Sequence, residues 1–377
     1  MLCSSLTSIT IPNSIASSIR RYTFANCSSL TSIVIPNSVT SISENAFENC
    51  YSLTSVIIPN SVTSIDYKAF MRCTSLTSVI IPNSVSSIGD SVFGFCSSLT
   101  SVTIPSSVTS IGNQAFIACS SLISIVIPSS VTSIGDNAFQ ACTNLTSVTI
   151  PNSVTSIGTS AFYDSGLTSV TIPSSVTSIG AYTFCNCSSL TSIVIPNSVT
   201  SIGDFAFAAC INLTSVTIPT SVTSIGTSAF YACWHLNSVF CSVLIPLVIN
   251  QSVFQGVNQN TCYLVVPTNS ISAYQSAPVW QNFYHIVDYA TYVLNSNNFT
   301  MKDNLKFYPN PAKNELFIDA KNLTNIKLDV LDSNGKLLIN QPLNSSNTID
   351  TSTLSNGMYL FKITSDQGSI IEKIIKN

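Results

Sequence analysis

Charged side chains are scarce in this chain. Only 8% of its 377 residues are Asp, Glu, Lys or Arg, and the formal net charge is -3, whereas about a quarter of a soluble domain is usually charged. A protein that binds nucleic acid or an anionic membrane surface carries a basic patch. The composition therefore excludes both of these partner classes.

Long hydrophobic runs are missing too, although 45% of the residues are hydrophobic. A membrane-spanning helix needs about 18 consecutive apolar residues. The best candidate, residues 239–249, is broken by Ser242 and Pro246. The sequence predicts no integral membrane span, so the apolar residues must be buried in short, regularly spaced pieces.

Histidine is nearly absent, which limits catalysis. His235 and His285 are the two histidines, and neither lies beside a carboxylate or a nucleophile in the sequence. Motifs typical of phosphate binding, serine hydrolases and zinc proteases do not occur. Asp90, Asp136 and Asp204 each follow a glycine, which is typical of solvated turn carboxylates. We expect no enzyme, no cofactor and no metal site.

The charges that do occur are unevenly placed. Residues 1–300 hold 12 of them, and residues 301–377 hold the other 17. A segment with so few charged residues and a segment with so many have different surfaces, which indicates two separately folded bodies. The sequence therefore predicts a change of domain near residue 300.

The first body is a repeat of 23 residues. Its marker leucines follow one another at steps of 22 to 24 residues: Leu6, Leu30, Leu53, Leu76, Leu99, Leu122, Leu145, Leu167, Leu190, Leu213 and Leu236. A fixed period of this length is the signature of a solenoid in which each unit stacks on its neighbours. About eleven rungs are predicted, over residues 1–243.

Each unit contains two short extended segments. The first, L-T-S-[IV]-x-I, is rich in β-branched residues. It ends at a proline, which has no backbone N–H to donate to a β-ladder. The second, V-T-S-I, ends at glycines suited to a tight turn: Gly89, Gly112, Gly135, Gly158, Gly180, Gly203 and Gly226. The A-F-x-x-C segment that follows, as at Ala46, Phe47 and Cys50, fits a helical or 3₁₀ turn. The prediction is a mostly β solenoid of short strands joined by short helical turns.

The repeat L-T-S-V-T-I-P-S-S-V-T-S-I-G-N-Q-A-F-I-A-C at residues 99–119 resembles the leucine-rich repeats of BspA-like surface proteins. The resemblance extends from Leu6 to about Asp288. It implies a leucine-rich-repeat solenoid in residues 1–243 and a degenerate last repeat in residues 244–288. We expect that last repeat to cap the final strand, because a solenoid exposes its edge without a cap.

Thirteen cysteines recur mostly in register with the repeat. Nine of them follow the repeat phenylalanine by three residues: Cys27, Cys50, Cys73, Cys96, Cys119, Cys142, Cys187, Cys210 and Cys233. One interpretation is that the cysteines bind metal ions along the rungs, and another is that they form disulfides between rungs. Zinc sites need paired ligands at close spacing, and parallel Cβ vectors on neighbouring rungs suit a disulfide poorly. We expect buried free thiols that act as small hydrophobes.

The first strand also predicts a surface strip. Its outward column, named here the strand-face strip, is Thr10, Val34, Ile57, Ile80, Thr103, Val126, Thr149, Thr171, Val194, Thr217 and Phe240. Eleven rungs at about 4.8 Å give a flat strip roughly 50 Å long. One hypothesis is that it binds an extended extracellular protein or glycan; the other is that β-branched residues merely suit strands. The interrupted threonine column argues against an ice-binding face.

The second body follows a polar linker, predicted over residues 289–306. Hydrophobic alternation, as at Tyr359, Phe361 and Ile363, and an Asn334-Gly335 hairpin turn predict a small antiparallel β-sandwich in residues 307–377. Its motifs are Y-P-N-P, S-N-G-M-Y and I-E-K-I-I-K-N, with the marker residues Tyr308, Pro309, Asn310, Pro311, Gly357, Tyr359, Lys373 and Lys376. In combination they resemble the type A C-terminal sorting domain of the type IX secretion system.

The second resemblance implies a Bacteroidota source, the type IX secretion machinery as a partner, and release from the cell or display on its outer surface. Such cargo crosses the inner membrane with a signal peptide, yet Met1 to Ser4 have neither the charged nor the apolar region of one. We expect either that the natural chain begins upstream or that the gene is truncated, with further repeats before Met1. The two resemblances together imply a displayed repeat protein that acts in adhesion or co-aggregation; the alternative is a spacer or stalk that binds nothing.

Overall fold

The computed structural model describes residues 3–14, 17–295, 305–320, 326–343, 346–365 and 368–377. These residues form two compact units, one of Met1–Cys262 with Ala277–Tyr284 and the other of Tyr263–Ser276 with His285–Asn377. Within the second unit, strand Tyr263–Val265 pairs in parallel with strand His285–Val287.

The first unit is a solenoid whose rungs each begin with a short strand. These first strands are Ser8–Thr10, Ser32–Val34, Ser55–Ile57, Ser78–Ile80, Ser101–Thr103, Ser124–Val126, Ser147–Thr149, Ser169–Thr171, Ser192–Val194, Ser215–Ile218 and Ser238–Cys241. They pair in parallel and in register, as in Ile9↔Ile33 and Ile33↔Val56. Each strand ends before the proline, as the sequence predicted.

A second set of two-residue strands follows at Ser18–Ile19, Ser41–Ile42, Ser64–Ile65, Ser110–Ile111, Ser133–Ile134, Ser156–Ile157, Ser178–Ile179, Ser201–Ile202 and Ser224–Ile225. In the fourth rung, Ile88 makes a single bridge to Ile111. The predicted second extended segment is therefore confirmed.

The A-F-x-x-C segment was predicted to form a helical or 3₁₀ turn, but it forms a series of consecutive turns without a helix. Asn45 (φ 57°) and Asn49 (φ 60°) both have left-handed backbone, and the equivalent residues of the other rungs repeat this pair. A helix cannot continue through such residues. Instead, alternate N–H groups donate to the next rung, as Phe47 N does to Ala69 O at 2.8 Å. The turns thus form a third inter-rung ladder.

The reason predicted for the repeat glycines is also wrong. The seven glycines are not among those with positive φ, so a left-handed turn is not what requires them. A Cβ on Gly158 would lie 2.5 Å from Asp136 N and 2.6 Å from Gly135 C. Gly112, Gly135, Gly203 and Gly226 would meet the preceding rung as closely. Glycine is needed at these positions because the neighbouring backbone leaves no room for a side chain.

A ladder of phenylalanines fills the core of the solenoid. Neighbouring rings lie 5.1–5.7 Å apart between centroids and nearly parallel, in the series Phe24, Phe47, Phe70, Phe93, Phe116, Phe139, Phe162, Phe184, Phe207, Phe230 and Phe254. Trp280 and Phe283 close the series against Phe254 at 5.5 and 5.2 Å. The short 3₁₀ helix Trp280–Asn282 positions that end.

The second unit begins with the parallel pair Tyr263–Val265 and His285–Val287, the 3₁₀ helix Thr268–Ser270, and helices Ile271–Ser276 and Tyr289–Asn295. The described start of the predicted polar linker is therefore helical, and residues 296–304 lie outside the described part.

Two antiparallel sheets follow in this unit. One contains Lys306–Tyr308, Glu315–Asp319 and Ser346–Asp350; the other contains Leu337–Pro342, Lys327–Leu331, Gly357–Ser365 and Gly368–Lys376. The hairpin turn lies at Gly335 (φ 80°), where Asp332 N donates to Lys336 O. Leu328, Phe361 and Ile363 are fully buried in the shared core. The predicted β-sandwich is confirmed.

Candidate binding face

The strand-face strip lies on the solvent side of the first strands. Its large apolar members are mostly exposed: Val34 by 64%, Ile57 by 69%, Ile80 by 70%, Val126 by 70% and Val194 by 68%. The neighbouring residues in each strand, such as Ile33 and Val56, point into the core and are buried. This alternation follows from the period of two in a β-strand.

The remaining members of the strip are five threonines and one aromatic residue. Thr10, Thr103, Thr149, Thr171 and Thr217 are exposed, whereas Phe240 is half-buried. In-register pairing joins these side chains into one row, as in Thr10↔Val34, Val34↔Ile57 and Ile80↔Thr103. The structure therefore brings the predicted strip residues together on one face.

Two threonine columns differ in how their hydroxyls are used. In the column just after the repeat leucine, Thr54 Oγ1 donates to Thr31 O at 3.1 Å and Thr100 Oγ1 donates to Thr77 O at 3.0 Å. Strip threonines such as Thr103 have no such bond within the described part of the protein. A hydroxyl without a protein partner remains available for a ligand.

A shallow groove runs beside the strip in the first three rungs. It is lined by strip residues such as Val34 and Ile57 and by residues of the Pro-Asn corners, such as Pro36, Pro59 and Asn60. Sequence reasoning missed this groove, because it treated the proline only as the end of a strand. The signal was present in the recurring I-P-[NS] step, which places an amide or hydroxyl side chain just after the first strand in most rungs.

The cysteines form a buried column inside the turns, as predicted. Twelve of the thirteen are buried, and all thirteen are free thiols. Cys119 Sγ donates to Phe93 O at 3.1 Å, and the equivalent bond recurs in most other rungs. Burial raises the pKa of Cys96, Cys142 and Cys233 to about 12. These thiols therefore satisfy turn carbonyls and are not poised for chemistry.

The thiol column predicts a simple labelling pattern. At pH 8 a maleimide should modify Cys3, which is exposed, while the twelve buried thiols stay unmodified because burial denies the reagent access. For cysteines such as Cys96 and Cys142 burial also raises the pKa of the thiol, which leaves little reactive thiolate. Adding denaturant should release all thirteen. Mass spectrometry of the native and unfolded protein checks this, and rapid native labelling at several repeat cysteines would contradict it.

The acidic and histidine residues have structural partners. Asp136 Oδ1 accepts a bond from Thr159 N at 2.7 Å, and Asp204 Oδ1 accepts one from Thr227 N at 2.7 Å. Asp90 binds Asn113 N in the same way. His235 Nδ1 lies 2.6 Å from Ile211 O, and His285 stacks on Tyr263. These turn carboxylates join neighbouring rungs, which the sequence did not predict.

Within the described ranges, no three His, Cys, Asp or Glu side chains are grouped so that they could hold a metal ion. The helices in that same part of the chain are too short or too polar to span a membrane.

The sorting motifs, which are distant in sequence, meet around the last strand. Asn310 Nδ2 donates to Lys373 O at 2.9 Å, and Ile375 N donates to Asn310 Oδ1 at 2.9 Å. Ala312 N donates to Ile375 O, and Asn377 N donates to Ala312 O. The Tyr308-Pro309 and Asn310-Pro311 peptide bonds are cis. The Y-P-N-P segment therefore holds the chain terminus through a side-chain amide.

The other marker residues support the same end of the sandwich. Gly357 pairs with Lys376 at the start of strand Gly357–Ser365. Tyr359 is buried, and its hydroxyl donates to Ser355 O at 2.8 Å. Tyr308 is half exposed and stacks on Phe317 at 5.7 Å. These contacts join all three sequence motifs into one region.

Comparison with known families matches both bodies. Residues 1–123, 111–237 and 177–286 match the model described as a BspA type leucine rich repeat region. Residues 306–377 match a secretion system C-terminal sorting domain. No curated protein gives a match. Neither matching family is an enzyme family.

Several solved structures are similar to this chain. A leucine-rich repeat protein from Bacteroides ovatus is 29% identical, with a TM-score of 0.47, over 63% of this chain and 79% of that one. A leucine rich cell surface protein from Faecalibacterium prausnitzii is 32% identical, with a TM-score of 0.33, over 63% and 88%. The pneumococcal vaccine antigen PcpA is 19% identical, with a TM-score of 0.48, over 75% and 88%.

Proposed function

The chain belongs to the BspA-type leucine-rich repeat family and ends in a secretion system C-terminal sorting domain, and on that premise we propose that its solenoid is displayed outside the cell and binds a macromolecule through the strand-face strip. The sorting domain implies export by the type IX machinery. Adhesion to a host, matrix or microbial surface is the proposed use of the exported repeats.

The observation that carries this proposal is that β-branched apolar side chains are exposed in the strand-face strip, although threonine occupies equivalent positions in other rungs. Val34, Ile57 and Ile80 occupy three successive rungs, and each is more than 60% exposed. Threonine has a similar shape and β-propensity, and Thr103 occupies the next rung in register. The fold alone therefore does not require the apolar residues, and a contiguous exposed apolar patch is typical of an interaction site.

The composition of the strip indicates the type of partner. The strip has no charged residue, so long-range electrostatic attraction contributes little to its binding. Exposed apolar side chains and threonine hydroxyls share one flat row about 50 Å long. That arrangement suits an extended protein or glycan that makes many weak contacts. Small ligands usually bind in enclosed pockets, and the strip is open.

Lysine substitutions test the strip. Replacing Ile57, Ile80 and Val126 together with lysine should weaken attachment to cells or matrix by more than tenfold, because a buried apolar anchor typically contributes about 2 kcal/mol to binding and an unpaired charge is costly to desolvate. Attachment of the full-length protein to immobilised matrix or cells is the measurement.

Three lysines elsewhere provide the matched control. Ser87, Thr143 and Ser189 are exposed and lie outside the strip, so their replacement adds the same charge without touching it. The control variant should attach like the unmodified protein. If the strip variant is folded by circular dichroism and also attaches normally, the strip does not bind, and the interpretation as a spacer or stalk is supported instead.

A further inference from the structure

The few cations of the first 300 residues are concentrated at one end of the solenoid. They are Arg20, Arg21, Lys68 and Arg72. From residue 73 to residue 288 the chain has five aspartates and no lysine or arginine. All four cations lie in the first three of about eleven rungs, so the surface chemistry of these three rungs differs from that of the rest.

Three of these cations lie over exposed aromatic rings on the turn side of the rungs. Arg21 Cζ lies 5.2 Å from the centroid of Tyr22, and Lys68 Nζ lies 4.8 Å from that of Tyr67. Arg72 Cζ lies 5.5 Å from the centroid of Phe95. These distances are within the range of cation–π attraction. The rings are 52%, 42% and 36% exposed in that order, so their outer faces and edges remain open.

The backbone at these positions makes bulky side chains unexpected. Tyr22 (φ 57°), Lys68 (φ 56°), Arg72 (φ 60°) and Phe95 (φ 62°) all have left-handed backbone. Most other rungs place Asn, Ser, Gln or Ala there, with Tyr182 and Phe205 as bulky exceptions, and large side chains at positive φ are uncommon and strained. The core is already filled by the phenylalanine ladder. Packing therefore does not explain these side chains.

Two asparagines beside these rings have unused acceptors. Asn45 is 4% exposed, and its Oδ1 has no hydrogen-bond partner, whereas its Nδ2 donates to Glu48 Oε2 at 2.6 Å. It occupies the same column as Tyr22 and Lys68, one rung from each. Asn49 Oδ1 is likewise unpartnered. A buried acceptor without a donor is rare in native proteins.

The two glutamates in this region already have partners. Glu44 Oε1 accepts from Arg21 at 2.6 Å, and Glu48 accepts from Asn45. Lys68 and Arg72 make no ion pair of 4 Å or less with any residue in the described ranges. They remain free to meet a carboxylate from outside, and a guanidinium can bind one with two parallel hydrogen bonds.

We propose that this turn-face patch, formed by Tyr22, Asn45, Tyr67, Lys68, Arg72 and Phe95, binds an acidic glycan whose sugars carry carboxylates. The aromatic rings stack on the C–H faces of the sugars, and Arg72 and Lys68 bind the carboxylates. Nucleic acid is a poorer fit, because the net charge of the region is too low to attract a phosphate backbone. The patch lies on a different face from the strand-face strip and is independent of it.

Titration with defined polymers tests the patch. The full-length protein should bind polygalacturonate and should bind its fully methyl-esterified, neutral form at least tenfold more weakly. Arg72→Gln should reduce polygalacturonate binding at least tenfold. The matched control is Phe205→Ser: Phe205 has the same left-handed backbone and stacks on Tyr182 at 4.9 Å, but its neighbourhood has no cation. That variant should bind like the unmodified protein.

Other outcomes overturn the proposal. It fails if polygalacturonate does not bind, if the neutral polymer binds equally well, or if Arg72→Gln binds normally while remaining folded. Equal binding of a polyglutamate peptide or single-stranded DNA would show a general anion surface instead of a glycan site. The lysine variant of the strand-face strip should keep polygalacturonate binding, so failure of the strip hypothesis is distinguishable from failure of this one.

Discussion

Replacing Phe116 with alanine is expected to lower the free energy of unfolding of the solenoid by about 3–5 kcal/mol, the usual cost of removing a fully buried phenylalanine side chain. Phe116 is completely buried and stacks between Phe93 at 5.7 Å and Phe139 at 5.5 Å. Its N–H donates to Ala138 O at 2.9 Å. The ladders on both sides hold the neighbouring rungs in place, so they cannot collapse into the cavity.

Phe95→Ala is the matched control for this substitution. Phe95 lies in the adjacent rung but is 36% exposed and outside the ladder, so its loss should change stability by less than about 1 kcal/mol. Urea denaturation of both variants, followed by circular dichroism, measures the difference. Equal midpoints for the two variants would contradict the stacked core.

Removing residues 307–377 should have an all-or-none effect on location. In the natural host, the shortened protein is expected to accumulate in the periplasm and to be absent from the cell surface and medium, since we propose that the sorting domain directs the last step of export. Fractionation with immunodetection, and protease treatment of intact cells, measure the two pools.

The lysine variant of the strand-face strip is the control for that deletion. It changes three residues of the solenoid and leaves the sorting domain intact, so it should reach the surface in normal amounts. Surface display of the shortened protein would refute the role assigned to residues 307–377. Failure of both proteins to be exported would instead show that the solenoid itself determines export.

Much of the solenoid could be predicted because one period controls it. A side chain such as Leu99 or Val102 must meet its copy in the next rung, so register, strand position and the outward column all follow from the spacing of the leucines. The exposure of Ile57 and Ile80 was predicted in this way. The hairpin at Gly335 was predictable for a local reason, since Asn-Gly strongly favours such a turn.

The turn segment could not be predicted from the same pattern. Its left-handed residues include Asn45, Lys68, Ser91 and Ala118, and this mixture has no common signal for positive φ. What fixes the conformation is hydrogen bonding between rungs, which a single repeat does not display. The crowding at Gly158 is also a contact between rungs. The sequence of one repeat does not show that contact, so the need for glycine was wrongly assigned to a tight turn.

The contacts of the sorting motifs lay beyond sequence reasoning as well. Asn310 binds the backbone of Lys373 and Ile375, more than 60 positions away along the chain. The motifs identified the domain, but only the folded structure shows that they share one set of hydrogen bonds. The turn-face patch was missed because its residues are spread over four rungs and no single repeat shows them together.

Site-specific photo-crosslinking tests the proposed binding face most directly. A benzophenone amino acid at Ile80, in the full-length protein displayed on cells together with host or microbial partners, should yield a covalent adduct with a macromolecule. The same group at Ser87, exposed and off the strip, should yield none. Absence of an adduct at Ile80, or equal adducts at both positions, would contradict the claim that the strand-face strip is the binding surface.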